Sequence, residues 1–417
     1  MKAIITVGLG FGDEGKGAAV DFLVRERGAD LVVRYSGGAQ AGHNVVLPDG
    51  RRHSFSQWGA GTFAGAKTWL GPKMILSLAT MSPEAAHLKS LGVADPFVLL
   101  SAHPECLLST HYHVCMNRLR EQARGRSRNG SCGLGIGETR HYWLRYGWDA
   151  IVAGDLEDRD LLVRKLTLLR DRLLMELQGL DSVDSEQVAL LTDTTPAAEA
   201  EVLLVAAREL RLSSRPPEAD TIVFEGAQGI LLDESFGFHP HTTWSTVTTL
   251  HARELAAEWG IDEVEVLGVT RAYSTRHGAG PLPTSSAEMT AALADPGNPR
   301  NDWQGTLRSG PLDLVLLSYA ASVDRIDGLV VTSLDRLPAR FQICRSYVEG
   351  KAFDLPRNRR EQEALTRILQ AARPVYEGAT EDQLLDVLGE IAPLRILGRG
   401  PSFLEWNVQA PCVSKIV

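Results

Sequence analysis

The sequence is poor in cysteine, in aromatic residues and in long apolar runs, and it carries no excess of basic charge. Five cysteines in 417 residues do not make a disulfide framework. Cys106, Cys115, Cys132, Cys344 and Cys412 also lack metal-ligand spacing. A reducing, cytoplasmic compartment is therefore expected. No apolar run reaches the ~18–20 residues that cross a bilayer. The opening MKAIITVGLGFGDEGKG has neither the apolar segment nor the cleavage site of a secretory leader. No membrane association is expected. With 43 basic and 52 acidic residues the net charge is −9, which argues against a dedicated nucleic-acid binder.

What remains is an ordinary globular composition, 44% hydrophobic and 23% charged, enough to bury a large core. Short apolar runs read as buried strands at 3–9, 31–35, 97–100, 221–224, 264–268 and 328–332. Helical spacing occupies 18–26, 156–180, 196–212 and 312–321, and 181–193 and 295–303 read as polar loops. The basic run 124–129 reads as a solvated loop. Buried strands alternating with helices predict an α/β fold around a mostly parallel sheet. No repeat and no convincing linker divides the chain, so one large domain over residues 1–417 is expected, with helices and long loops.

The strongest local signal is Gly10-Phe-Gly12-Asp13-Glu14-Gly15-Lys16-Gly17, between the first strand and a helix. It nearly matches the phosphate loop G-x-x-x-x-G-K-[ST]. Glycines there let backbone N–H groups face phosphate oxygens at a helix N-terminus, and Lys16 adds a point charge. Gly17 stands where the hydroxyl that ligates Mg²⁺ would be. A carboxylate inside the loop, Asp13 or Glu14, would suit a hard cation instead. A second strand runs into Ser36-Gly37-Gly38-Ala39-Gln40-Ala41-Gly42-His43, which places a histidine toward the same crevice. Aspartate and histidine beside a phosphate site form a general base and general acid pair. Glu225-Gly226-Ala227-Gln228 and Ser333-Leu334-Asp335 follow further strands. A carboxylate at Asp335 can accept from guanine N1 and N2, although an x-K-x-D guanine motif has lysine where Ser333 stands.

Taken in order, GFGDEGKG, VVRYSGGAQAGHNVV, SCGLGIG, FEGAQGILLD with HPHTTWST, GVTRAYSTRHGAGPLPT, VVTSLD and GRGP resemble the adenylosuccinate synthetase family. These are GTP-dependent ligases that join IMP to L-aspartate. The resemblance implies one large domain around a mostly parallel sheet, Mg²⁺ as cofactor, GTP as co-substrate and a homodimer. It implies Asp13 as the base that takes the proton from N1 of a 6-oxopurine, with Lys16 and His43 on the phosphate that moves to O6. Asp13 and the carbonyl of Gly42 would ligate Mg²⁺. Nucleotide-binding positions carried over are Gly12, Glu14, Gly15, Gly17, Gln40, Gly42, Cys132, Gln228, Thr243, Ser333, Asp335, Gly398 and Gly400. Arg145 corresponds to an arginine that reaches the partner's nucleotide.

The departures lie where substrates are chosen. Ala39-Gln40 replaces the family's Asn-Asn, and Ser131-Cys132-Gly133 replaces Thr-Thr-Gly at the nucleotide 5′-phosphate. The arginine run that recognises aspartate is reduced, between Gln304 and Gly310, to Arg308 alone, with Thr306 and Arg308 carried over as the amino-donor positions. Bidentate arginines are what grip a dicarboxylate, so a different amine or another purine-like nucleotide is the alternative expectation. Arg276 and His277 stand in an adjacent loop as a second source of charge. A phage branch that acts on dGMP replaces the catalytic aspartate, whereas Asp13 is kept here. A catalytically dead regulator is disfavoured by the presence of Asp13, Lys16 and His43 together.

Overall fold

The computed structural model describes residues 1–125, 130–181, 183–294, 305–350 and 353–409. The apolar run after Met1 forms strand β1 (Lys2–Gly8). Its side chains part alternately. Ile4 joins the apolar core that holds Val20 and Leu23, while Ile5 and Val7 join the core on the other face. Strand β2 (Leu31–Arg34) repeats the division, with Val32 on the first side and Leu31 and Val33 on the second. A sheet buried on both faces needs such continuous apolar strands.

Ten strands form that sheet. Their order by residue is 406–408, 394–398, 328–332, 263–271, β1, 221–229, β2, 67–70, 100–102 and 211–212. Every neighbouring pair is parallel except the last-formed edge, where 394–398 meets 406–408 antiparallel. The expected α/β fold with a mostly parallel sheet is thus observed. In such sheets ligands sit outside the carboxyl ends of the strands. The loops after β1, β2, 221–229, 263–271 and 328–332 all leave that edge, and they carry the expected motifs.

Several boundaries differ from expectation, each for a local reason. Residues 97–100 are mostly a 3₁₀ turn, Pro96–Leu99, because Pro96 starts it and the Asp95 carboxylate accepts from the Phe97 N–H. The strand follows at Leu100–Ala102. Asp158 and Asp313 cap their helices, so these begin at Arg159 and Leu314 rather than 156 and 312. The helix from Pro196 ends at Ala206, and Arg211–Leu212 joins the sheet edge. The expected loop at 181–193 contains a helix, Ser185–Asp193, capped by Asp184. Most of the basic run 124–129, and the loop 295–303, lie outside the described residues.

Helix α1 (Lys16–Arg27) explains the absent hydroxyl at position 17. The hairpin His43–Val46 with Arg52–Phe55 packs directly on its first turn. A Cβ on Gly17 would stand 2.7 Å from the His43 carbonyl carbon and 2.8 Å from the Asn44 oxygen. Both are backbone atoms and cannot rotate away. Gly17→Ser, which would restore the usual phosphate-loop sequence, should therefore destabilise the fold by about 1–3 kcal/mol. Thermal unfolding followed by circular dichroism checks this. An unchanged midpoint would show that the hairpin has room to move.

Candidate active site

The loop after β1 is built around a buried carboxylate. Glu14 Oε1 accepts from the N–H groups of Gly10 at 3.0 Å and Gly12 at 2.8 Å, and Oε2 pairs with Lys16 Nζ at 2.6 Å. Both side chains of this ion pair are almost fully buried. The Thr332 hydroxyl donates to the Glu14 carbonyl at 2.7 Å, which ties the loop to the end of strand 328–332. Gly15, with φ 90°, caps α1 in the left-handed region that glycine adopts without cost. Glu14 therefore faces into the loop as a fastener, so Asp13 is the carboxylate left to face the cleft.

Three non-glycine residues among those described have left-handed backbone: Asp13, Gln228 and Ser333. Each follows or ends a central strand, and each is a residue the sequence singles out. Such conformations cost energy and persist where the surroundings enforce them. At Asp13 the enforcing contact is visible, since Arg271 Nε donates to its backbone carbonyl. Burial raises the Asp13 carboxyl above its ordinary value. Glu14 raises it further, while Arg271, His277 and Lys16 pull it down.

Two neighbouring clefts serve this region, and the loop lines the larger of them. The larger, of 780 Å³, is lined by Asp13, Glu14, Gly15, Lys16, Gly17, Gly42, His43, Arg271, Ser333, Asp335 and Gly400, among others. The smaller, of 210 Å³, includes Gln40, Cys132, Gln228, Thr243, Arg276 and His277. The chain passes from one to the other between Gln40 and Gly42. Most of the expected residues are thus assembled in two adjoining hollows. Gly12 lies off both and lines a separate small hollow with Gly10 and Phe11. Gly398 lies off both as well, its Cα packed against the indole of Trp406. Arg145 is exposed, paired with Glu176 at 2.7 Å and stacked over Tyr146, so it points away from its own chain's clefts.

His43 is held by a partner that sequence reading left without a role. Its Nδ1 is hydrogen-bonded to Glu225 Oε1, and Glu225 Oε2 accepts from the Ala60 N–H at 3.0 Å. The Nε2 atom of His43 is buried with no protein partner. Burial pushes the imidazole below its ordinary value, with Glu225 opposing and Arg34 adding to the fall. Burial also works against charge on Glu225, but His43 and Arg34 outweigh it and hold that carboxyl low. The pair is therefore a neutral imidazole on a carboxylate. Glu225 lies midway along the buried strand 221–229, beside Gly226, and a carboxylate in that setting is the signal that marks it.

On the far side, Arg276 and Arg308 stand opposite each other on paired strands. Arg308 Nη2 donates to the carbonyls of Gly278 and Gly280, both at 2.9 Å. Arg276 donates to those of Ala279, Pro281 and His241, and stacks on Phe11 at 4.0 Å. Burial and the facing Arg308 push Arg276 down to about 9. Among the described residues neither guanidinium has a carboxylate partner. The turn 277–281 is therefore bordered by two positive groups, the buried Arg276 and the half-buried Arg308. Thr306 is exposed near it, and Gln304 lies outside the described residues.

Magnesium suits this donor set. Among the described residues no three His, Cys, Asp or Glu side chains cluster as a metal site. Mg²⁺ characteristically takes one or two carboxylates together with substrate phosphates. The Asp13 carboxylate and the exposed Gly42 carbonyl, on one cleft, are hard oxygen donors of that kind.

A family model described as adenylosuccinate synthetase matches residues 5–383. An adenylosuccinate synthetase from Thioalkalivibrio sulfidiphilus is 35% identical over 364 residues, 85% of this chain and 83% of that protein. One from Rhodococcus erythropolis is 30% identical over 387 residues, 90% and 87% of the two chains. The fully ligated adenylosuccinate synthetase of Plasmodium falciparum superposes with a TM-score of 0.80 at 20% identity, over 98% of this chain and all of that one. The cyanophage S-2L succinoaminodeoxyadenylate synthetase, bound to dGMP and dATP, gives 0.59 at 17% identity, over 98% and 95%. These two share the fold. The glycine loop with its buried fastener and the length of the match agree, and the chain belongs to the adenylosuccinate synthetase family of carbon–nitrogen ligases.

Proposed function

We propose that the protein uses GTP to phosphorylate O6 of IMP and then joins L-aspartate at C6, giving adenylosuccinate. The observation that carries this is the placement of Asp13. It lines the phosphate cleft, while His277 of the neighbouring cleft acts on its charge. A carboxylate between the two can take the N1 proton of a 6-oxopurine. The released electron pair moves onto O6, which attacks the γ-phosphorus as its bond to the β–γ bridging oxygen breaks. GDP leaves. The aspartate amine then attacks C6, loses a proton and expels phosphate. The 6-oxo group is a poor leaving group and its phosphate ester a good one.

The chain's own residues have separable duties in this reading. Lys16 keeps one N–H on Glu14 and has two more to offer phosphate oxygens. His43 faces the transferred phosphoryl group. Asp13 and the Gly42 carbonyl would hold Mg²⁺, whose positive charge would offset that of the phosphates. Asp335, on the cleft beside Gly400, accepts from guanine N1 and N2. Gln40, Cys132, Gln228 and Thr243 line the IMP side. Arg276 and Arg308 supply two uncompensated positive charges for the aspartate carboxylates, which supports aspartate despite the shortened arginine run.

The same reading makes the protein a homodimer in which Arg145 completes the partner's nucleotide site. Its outward direction supports this, as do the exposed apolar side chains near it. Leu144 is 52% exposed and Trp148 is 94% exposed. Met175, beside Arg145's partner Glu176, is 64% exposed.

Three outcomes are expected. First, Asp13→Ala should lower kcat by about 10²–10⁴-fold. In the parent, activity should fall as pH drops through the raised Asp13 value, since the ionised form is the base. Arg271 holds that value down, so Arg271→Met should move the acid limb of kcat/KM to higher pH. An unmoved limb would remove Asp13 from the role of base.

Second, a panel of triphosphates and amines should select GTP and L-aspartate. Arg308→Ala should raise KM for aspartate about 10- to 100-fold, the loss of one or two charged hydrogen bonds. Asp335→Asn should weaken GTP more than ATP. Preference for a monocarboxylic donor, with aspartate poor, would replace aspartate by another amine. Third, sedimentation in the presence of IMP and GTP should show a dimer, and an active monomer would contradict the role given to Arg145.

A further inference from the structure

Glu225 touches no substrate in the reading above, yet both of its oxygens are committed. We infer that Glu225 is the positioning residue for His43. It fixes the imidazole with its proton on Nδ1 and so turns Nε2 to the wall of the phosphate cleft. This rests on the ligase reading and gives His43 its working state.

The geometry supports each part. Glu225 is completely buried, and a buried carboxylate needs partners for its charge. Ala60 N–H takes Oε2, which leaves Oε1 in one orientation for His43 Nδ1. A carboxylate accepts and does not donate, so the shared proton belongs to Nδ1. That leaves Nε2 as the atom at the wall of the phosphate cleft, buried and without a protein partner. Arg34 lies behind the pair, fully buried, with Nη1 donating to the Ser56 carbonyl at 3.1 Å. Its charge favours the ionised state of Glu225. The arrangement is that of a carboxylate orienting a histidine toward charge that develops in the transition state.

The test is Glu225→Gln, which keeps an oxygen for Ala60 N–H and removes the charge. The expected result is KM for IMP and GTP within about threefold, with kcat lowered about 10²–10³-fold. In the His43→Gln background the same change should have little further effect. Wild-type kcat in Glu225→Gln would overturn the proposal. So would losses that multiply in the double variant. Histidine ¹⁵N spectra of the free wild-type protein, with His43→Gln for assignment, give a readout independent of turnover. They should show Nδ1 protonated and Nε2 bare, and the opposite tautomer would also overturn it. If the wild type forms no adenylosuccinate, the ligase reading fails, and the spectra still decide the pairing. Should Glu225→Gln not fold, the wild-type spectra and Glu225→Asp, expected to keep part of kcat, decide it.

Discussion

The site depends on one buried ion pair, Glu14 with Lys16. A phosphate loop exposes several backbone N–H groups with no partner inside the loop, and in an empty site they would be poorly satisfied. Here one carboxylate takes two of them and the lysine as well. Low exposure makes each contact stronger, and breaking any one would strand a charge. The loop is therefore rigid before substrate arrives, and its far end is fixed to the neighbouring strand by Thr332. Gly8 and Gly229 are forced by the same carboxylate, since a Cβ on either would collide with Glu14. Asp13, next to this fastener, has a left-handed backbone held at its carbonyl by Arg271.

This arrangement separates charges by duty. Glu14 and Glu225 are buried and paired, one with a lysine and one with a histidine. Asp13 and Asp335 stay at the cleft walls. Arg271 touches the Asp13 backbone rather than forming a bridge with its carboxylate, so its field tempers the desolvation of that group without consuming its lone pairs. The Arg276–Arg308 wall lacks a carboxylate among the described residues, and a buried guanidinium without one favours an anionic ligand.

Much of this was legible in the sequence because it is local. The apolar runs of β1 and β2, the glycines after them and the spacing to Lys16 and His43 lie within short windows. Strand ends in a parallel sheet share one edge, so the motifs had to converge. What was not legible is pairing across the chain. Nothing near residue 43 announces that Glu225 will meet it, because that contact depends on strand 221–229 lying between β1 and β2. The helix Ser185–Asp193 was missed because its polar composition hid a good aspartate cap. Gly398 was read as a nucleotide contact, although in the fold its missing side chain makes room for Trp406.

The arginine count shows the same limit most sharply. Along the chain, the segment before Leu312 keeps one arginine, and a single guanidinium cannot grip two carboxylates bidentately. In the fold, strand 308–310 pairs antiparallel with strand 274–276, in a register that sets Arg276 opposite Arg308. Cross-strand neighbours are about 5 Å apart at Cβ, close enough for two positive groups to act on one ligand. Their mutual repulsion is tolerated because five backbone carbonyls, four in the turn 278–281 and that of His241, take up their N–H groups. On the proposed function, register thus brings a second arginine beside the one left in the contiguous run, and an acidic substrate would be met by the paired strands rather than by either segment.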